Sequence, residues 1–320
     1  MLSRVAENLY WIGRYVERAE NVARLLEVAY HLELDAAELR EESPDASPLA
    51  DALSVLACRD AFQQRAGAVL EREQVLEFLT IEPVEGHSIR VMLGRARDNA
   101  RASREALSAD AWDQLNSLFL EMRTSRARLR LQQSPLRFLE WVKRGCALFG
   151  GLVDATLPRA EAYHFLQLGR HLERANQIGR ILQFGLPRLP ALEALDPGTL
   201  SAMHWSNLLK SCSAHEAYLQ HAHDQIDPVG VIGFLILDEG FPRSIRFCID
   251  RCVESVESIE DDGSPQASDA RRLLGRLSSE LRYLDQRDLL QRGLQPYLVG
   301  LLVTCHRIGD AVHLAYFQTT

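Results

Sequence analysis

One segment of this chain occurs twice. Leu168-Gly169-Arg170-His171-Leu172-Glu173-Arg174-Ala175 restates Ile12-Gly13-Arg14-Tyr15-Val16-Glu17-Arg18-Ala19, 156 residues later. Ser244-Ile245-Arg246 restates Ser88-Ile89-Arg90 at the same separation. So do Phe234-Leu235 for Phe78-Leu79, Val231 for Val75, Ala217 for Ala61 and Asp310 for Asp154. One gapless offset from residue 13 to residue 154 predicts two copies of a single unit, residues 1–156 and 157–320. The constraint is severe, because any element assigned to one copy must suit both sequences.

The element type follows from periodicity. Leu9, Ile12, Val16, Ala19, Ala23 and Leu26 recur at steps of three and four, one apolar stripe on a helix. Similar patterns run through 49–66, 88–107, 112–131, 135–155, 159–184, 199–224, 244–260, 268–290 and 294–317. Breaks are expected where turn chemistry is dense: Glu42-Ser43-Pro44-Asp45, Gly185-Leu186-Pro187, Asp196-Pro197-Gly198 and Asp261-Asp262-Gly263-Ser264-Pro265. Residues 229–237 suit a buried strand by composition alone. Their counterpart Glu73-Gln74-Val75-Leu76-Glu77-Phe78-Leu79 carries charges at helical positions, so both are read as short buried helices. The expectation is all-α: an internally duplicated helical bundle, about six helices per repeat, with pseudo-two-fold symmetry. No Gly/Ser linker marks the junction near 155–160, which favours one continuous body.

Bulk properties narrow the function. With 47% hydrophobic and 25% charged residues the chain can bury a core. A net charge of −8 without a basic tail or block argues against general nucleic-acid binding. No continuous apolar run approaches the ~18 residues of a membrane span. Ser3-Arg4-Val5-Ala6-Glu7-Asn8 does not read as a signal peptide. Six scattered cysteines without CxxC spacing read as buried thiols of a cytoplasmic protein.

On the first helix Arg14, Glu17, Arg18, Asn21 and Arg24 share a face opposite the apolar stripe. The second copy keeps Arg170, Glu173, Arg174 and Arg180, while apolar neighbours drift, as from Ile12 to Leu168 and Val16 to Leu172. All but two of the 36 basic residues are arginine, which a GC-rich coding bias would explain. Arginine is also what planar, bidentate pairing to carboxylate or phosphate requires. The stripe is therefore expected to be buried, either as a structural network or as a ligand or partner site. Gly13 and Gly169 each cost a helix ~1 kcal/mol against alanine, so close backbone approach is expected there.

Trp11-Ile12-Gly13-Arg14-Tyr15-Val16-Glu17-Arg18-Ala19-Glu20-Asn21 resembles the signature of the alpha-E family, an all-helical group named for its Glu-Arg motif. Ser88-Ile89-Arg90 with Ala96-Arg97-Asp98-Asn99-Ala100-Arg101, and Gly151-Leu152-Val153-Asp154, are similar to that family too. The resemblance implies context more than chemistry: such proteins are encoded beside, or fused to, circularly permuted ATP-grasp proteins and transglutaminase-like peptidases. A peptide- or amide-bond-forming system follows as the expected setting. The second Ser-Ile-Arg helix departs from the pattern, with Cys252-Val253-Glu254-Ser255-Val256-Glu257 where Ala96 to Arg101 stood. Arg97, Asn99 and Arg101 therefore mark the first copy as the more specialised surface. Ser88, Arg90, Ser244 and Arg246 recur, and the arginines are expected to tie their helices to carboxylates such as Asp154 or Asp310.

Other chemistry is weakly signalled. His215, His221, His223 and Asp224 cluster without an HExxH motif, and Glu161-Ala162-Tyr163-His164 is a single ExxH where a di-iron bundle needs two. Asp285-Gln286-Arg287-Asp288 is half a diphosphate-binding Asp motif, and the acidic stripe of 244–261 is weak evidence for Mg²⁺. Neither a phosphate loop nor a GxSxG elbow is present. No metal and no cofactor is expected, and no catalytic residue is assigned. Two functions remain open. One is a helical accessory or substrate-presenting subunit of an ATP-grasp system, without nucleic-acid or membrane partners and compatible with homo-oligomers. The other is an enzyme with an Arg/Glu-lined cavity for a carboxylate or phosphate substrate.

Overall fold

A computed structural model describes residues 1–39, 47–67, 70–83, 86–186, 199–222, 226–260 and 265–318. Among them are sixteen α-helices and no strand. In the first half these are α1 (Ser3–Leu39), α2 (Pro48–Val55), α3 (Arg59–Ala66), α4 (Arg72–Thr80), α5 (Ile89–Ala102), α6 (Ala109–Met122), α7 (Ser125–Gln133) and α8 (Pro135–Thr156). The second half holds α9 (Glu161–Gly185), α10 (Thr199–Ser211), α11 (His215–Ala222), α12 (Pro228–Leu237), α13 (Ile245–Ser258), α14 (Pro265–Tyr283), α15 (Gln286–Arg292) and α16 (Leu294–Tyr316).

Among the described residues the count is eight per half rather than about six, and the reason is local. Periodic stretches read as single helices are interrupted by tight turns. Between α2 and α3 the chain turns through Ala57, held in the left-handed region at φ 54°. Between α10 and α11 it turns through Ser213 at φ 51°. A one-residue reversal does not disturb a hydrophobic pattern of period 3.6, so the break is invisible to periodicity. Starts are better marked. The side chains of Ser47, Ser88, Ser108, Thr124, Asp227 and Ser244 accept from the backbone N–H three residues on, capping α2, α5, α6, α7, α12 and α13. The ambiguous segment is helix α12, with Val231 to Ile236 buried. Of the expected breaks, 42–45, 187, 196–198 and 261–264 lie outside the described residues, as do His223 and Asp224.

The chain divides into two compact units, Tyr15–Leu157 and Met1–Arg14 with Pro158–Thr320. Helix α1 contributes its first turns to the second of these and the remainder to the first. In the unit of residues 15–157, α6 packs on α5 and α8, and α7 on α8. Its core includes Phe62, Phe78, Leu79, Leu93, Leu115, Phe138 and Phe149, with the Phe62 and Phe78 rings edge-to-face at 5.3 Å. In the other unit α13 packs on α9 and α14, and α16 packs on α9 and α14. Leu168, Leu172, Trp205, Cys248, Ile249, Leu298 and Ile308 are buried there.

Helix α16 corrects one expectation. By length and composition it is apolar enough to cross a membrane, with a mean hydropathy of 1.2, because its charges Arg307 and Asp310 lie late in the helix. Its Leu298, Leu301, Cys305, Ile308 and Val312, spaced at threes and fours, face the core of its own unit.

Candidate functional site

Two glycines bring the Glu-Arg helices together. A Cβ on Gly13 of α1 would stand 2.2 Å from the carbonyl oxygen of Leu166 on α9, and one on Gly169 2.0 Å from that of Tyr10. Backbone lies on backbone at this crossing, which only glycine allows. Immediately beside it, Arg14 Nε donates to Glu173 Oε2 at 2.7 Å, and another guanidinium nitrogen donates to the Tyr10 hydroxyl at 2.7 Å. The other oxygen of Glu173 accepts from Gln177 Nε2 at 3.0 Å. Glu173 is only 1% exposed. Burial alone would lower the Arg14 pKa, but Tyr10 and Glu173 outweigh it and the net shift is upward. The guanidinium, half-buried, is a permanent cation with two anchored partners. Burial also raises the Tyr10 pKa, against the pull of Arg14.

In the unit of residues 15–157 the stripe repeats the theme. Asn21 Nδ2 donates to the buried Glu17 at 3.2 Å, one helical turn back, as Gln177 does to Glu173. Arg24 pairs with Glu20, and Lys143 of α8 with Glu27. Arg18, Arg170 and Arg180 are half-buried, and Arg18 and Arg170 are not without partners. Arg174 is buried and donates to the carbonyl of Pro242 at 3.1 Å.

The Ser-Ile-Arg helices use their repeated residues on backbone. Ser88 and Ser244 cap α5 and α13. Arg90 donates to the Ile81 carbonyl and Arg246 to the Leu237 carbonyl, each nine residues back at 3.3 Å. The expected ties to Asp154 or Asp310 are not made; the carboxylate on Arg246 is Glu239, at 2.7 Å. Asp154 and Asp310 are exposed. A helix-starting arginine reaches the preceding helix end more readily than a side chain on a distant element, and its carbonyls lack intrahelical donors. Arg97 is not a free surface charge either. It donates to Asn116 at 3.1 Å and stacks over Trp112 and Phe119 of α6, both at 5.8 Å. Asn99 is half-buried and Arg101 exposed.

The groups that elsewhere perform nucleophilic chemistry are muted. Burial pushes the thiols of Cys58 and Cys305 up to about 12, and those of Cys146 and Cys252 well above the ordinary range. Such thiols stay protonated and inert at neutral pH. Among the described residues no three His, Cys, Asp or Glu side chains converge as metal ligands. Two surface grooves in the unit of residues 15–157 are lined by residues of α6, α7 and α8 and by none of the Glu-Arg or Ser-Ile-Arg positions. Sequence reading missed Tyr10, Glu20 and Gln177 as partners, although the spacing of four to Arg14, Arg24 and Glu173 was a signal for each. The Trp112 and Phe119 seat of Arg97 had no sequence signal.

The chain is 25% identical over 328 aligned positions to an uncharacterised protein of Mycobacterium bovis and to uncharacterised proteins from two strains of Mycobacterium tuberculosis. Each alignment takes in 95% of this chain and 35% of the relative, so the chain spans about a third of the length of these relatives. No solved structure matches it. The model of a family described as a predicted alpha-helical domain with a conserved ER motif matches residues 1–317, which hold both Glu17-Arg18 and Glu173-Arg174. This chain belongs to the Alpha-E family.

Proposed function

We propose that the chain is a helical accessory subunit of a peptide- or amide-bond-forming system, docking or presenting substrate to a circularly permuted ATP-grasp protein. A transglutaminase-like peptidase is a further partner in this reading, and the setting is cytoplasmic. The carrying observation is how the Glu-Arg charge is used. Arg14 is held between Tyr10 and Glu173, and both oxygens of Glu173 already accept hydrogen bonds. A carboxylate so occupied is a poor general base, because catalysis needs it within reach of a substrate proton. The motif is thus suited to fixing helices rather than to turning over a substrate. The longer mycobacterial relatives, which carry this segment within much larger chains, support a module that works beside other domains.

We also infer an internal duplication, with repeats 1–156 and 157–320. Its support is coincidence of detail at one offset of 156: α3 with α11 and α5 with α13 at both ends, and Ala57 with Ser213. The Arg90 and Arg246 carbonyl bonds and the Asn21 and Gln177 amide bonds match in the same way.

The test is co-purification with the neighbouring gene products, then ATP turnover by the ATP-grasp protein with and without this chain. Stable association and raised or redirected turnover are expected. No association and unchanged turnover would overturn the reading, as would amide-bond formation by this chain alone.

A further inference from the structure

Residues 121–144 carry Arg123, Arg126, Arg128, Arg130, Arg137, Lys143 and Arg144 against only Glu121 and Glu140, in a chain of net charge −8. The positive charges lie in the turn after α6, on α7 and on α8, four of them within residues 123–130. Their counterparts 156 residues later, 277–300, hold three arginines against three carboxylates, so the positive surplus is not part of a task done twice.

Folding gathers this charge around a trough. Where α7 meets α8 a groove of about 570 Å³ is lined by Arg126, Leu129, Arg130, Arg137 and Trp141, and no carboxylate lines it. A second groove of about 530 Å³ between α6 and α8 shares Arg137 and Trp141 with it and adds Arg144 and Leu148; its two carboxylates, Glu121 and Glu140, are paired with Arg130 and Arg144. Arg130 lies over the Trp141 ring at 4.9 Å and pairs with Glu121 at 3.1 Å. Arg126 and Arg137 are exposed and, among the described residues, pair with no carboxylate. Leu129 and Leu148 are 51% and 52% exposed, an apolar floor under a cationic rim.

We propose that this trough docks an acidic peptide segment of a partner protein, one that alternates carboxylate and apolar side chains. The rim supplies arginines for carboxylates, and Trp141 with the two leucines takes the apolar groups. A small free anion has no use for the apolar floor. A nucleic acid reaching beyond the trough would meet a chain whose other charge is net negative, whereas a short acidic segment stays within it. The proposal is independent of the ATP-grasp reading, since it concerns only which surface binds and its partner need not be an ATP-grasp protein.

The probe is a fluorescein-labelled peptide repeating Glu-Glu-Leu, read by anisotropy on the full chain, with its Gln-Gln-Leu twin and a single-stranded oligonucleotide as comparisons. Saturable binding that weakens with salt is expected, together with a change in Trp141 emission that is lost in Trp141→Phe. Arg126→Glu with Arg137→Glu should weaken binding about ten-fold or more while leaving the melting profile intact, both side chains being exposed. Equal binding by that double variant overturns the proposal, as does equal affinity for the Gln twin, no peptide binding, or tighter binding of the oligonucleotide.

Discussion

Gly13→Ala sets helix propensity against tertiary contact, and the two predict opposite signs. In a solvated helix the change stabilises by up to ~1 kcal/mol. Here the new methyl would sit 2.2 Å from the Leu166 oxygen and 2.9 Å from the Arg170 nitrogen, both backbone atoms that no rotamer can move. Relief requires α1 and α9 to part by roughly 1 Å, and a gap of that size forfeits a quarter to a half of each van der Waals contact it opens. Leu9, Ile12, Leu168 and Leu172 are fully buried on these two helices. A buried leucine makes ~40–60 contacts of ~0.1–0.2 kcal/mol. If a quarter of them cross the interface, the loss is about 3 kcal/mol. Propensity returns ~1 kcal/mol, leaving a net cost of about 2 kcal/mol, or a melting point roughly 4–8 °C lower. The assay is thermal unfolding followed by circular dichroism, with Gly151→Ala as control: Gly151 lies within α8 and its added Cβ meets nothing within 4 Å. The control should melt at or slightly above the parent. Gly13→Ala melting there as well would refute the backbone crossing.

Four further outcomes follow from the same contacts. Glu173→Ala strands Arg14 and Gln177 and should cost about 3 kcal/mol, while adding Arg14→Met should recover part of that loss in urea melts. Arg97→Glu loses Asn116 and two aromatic faces and should destabilise by about 1–2 kcal/mol; Arg101→Glu, on exposed helix surface, should change stability by less than ~0.5 kcal/mol. Ser88→Ala removes one N-cap bond and should cost ~1 kcal/mol; Ser244→Ala also removes the hydroxyl's bond to the Asp238 carbonyl and should cost at least as much, so a markedly smaller loss at Ser244 would count against duplicated roles. The buried thiols set an alkaline limit. Their folded-state pKa values lie above the unfolded ones, so the native state holds protons that the unfolded chain releases. Stability should be level below the ordinary thiol range and fall as pH rises through it towards about 12, where Cys58 and Cys305 ionise. A urea midpoint that stays flat from pH 8 to pH 10, roughly bracketing the ordinary thiol pKa, would contradict that burial.

What the sequence determined by itself is local or periodic. The spacing of Leu9, Ile12 and Val16 fixes a helix, the patterns beginning at 88 and 244 place two more, and the 156-residue offset resolves 229–237 as helical through its charged counterpart. Each of these depends on residues within a turn or two of one another, or on a comparison internal to the chain. The cost of a helical glycine also predicted close approach at Gly13 and Gly169, though not what approaches. Partner choice belonged to tertiary structure. Only folding sets Arg14 against Tyr10 and Glu173, ends the reach of Arg246 at Leu237 and Glu239 rather than Asp310, and seats Arg97 between Trp112 and Phe119. It also gathers arginines from separate helices around Trp141. A helical period states which face is apolar and which polar, but the same polar face serves water, a carboxylate or an aromatic ring equally well. Distances between elements far apart in the chain decide among them, and those are set by how the apolar stripes pack.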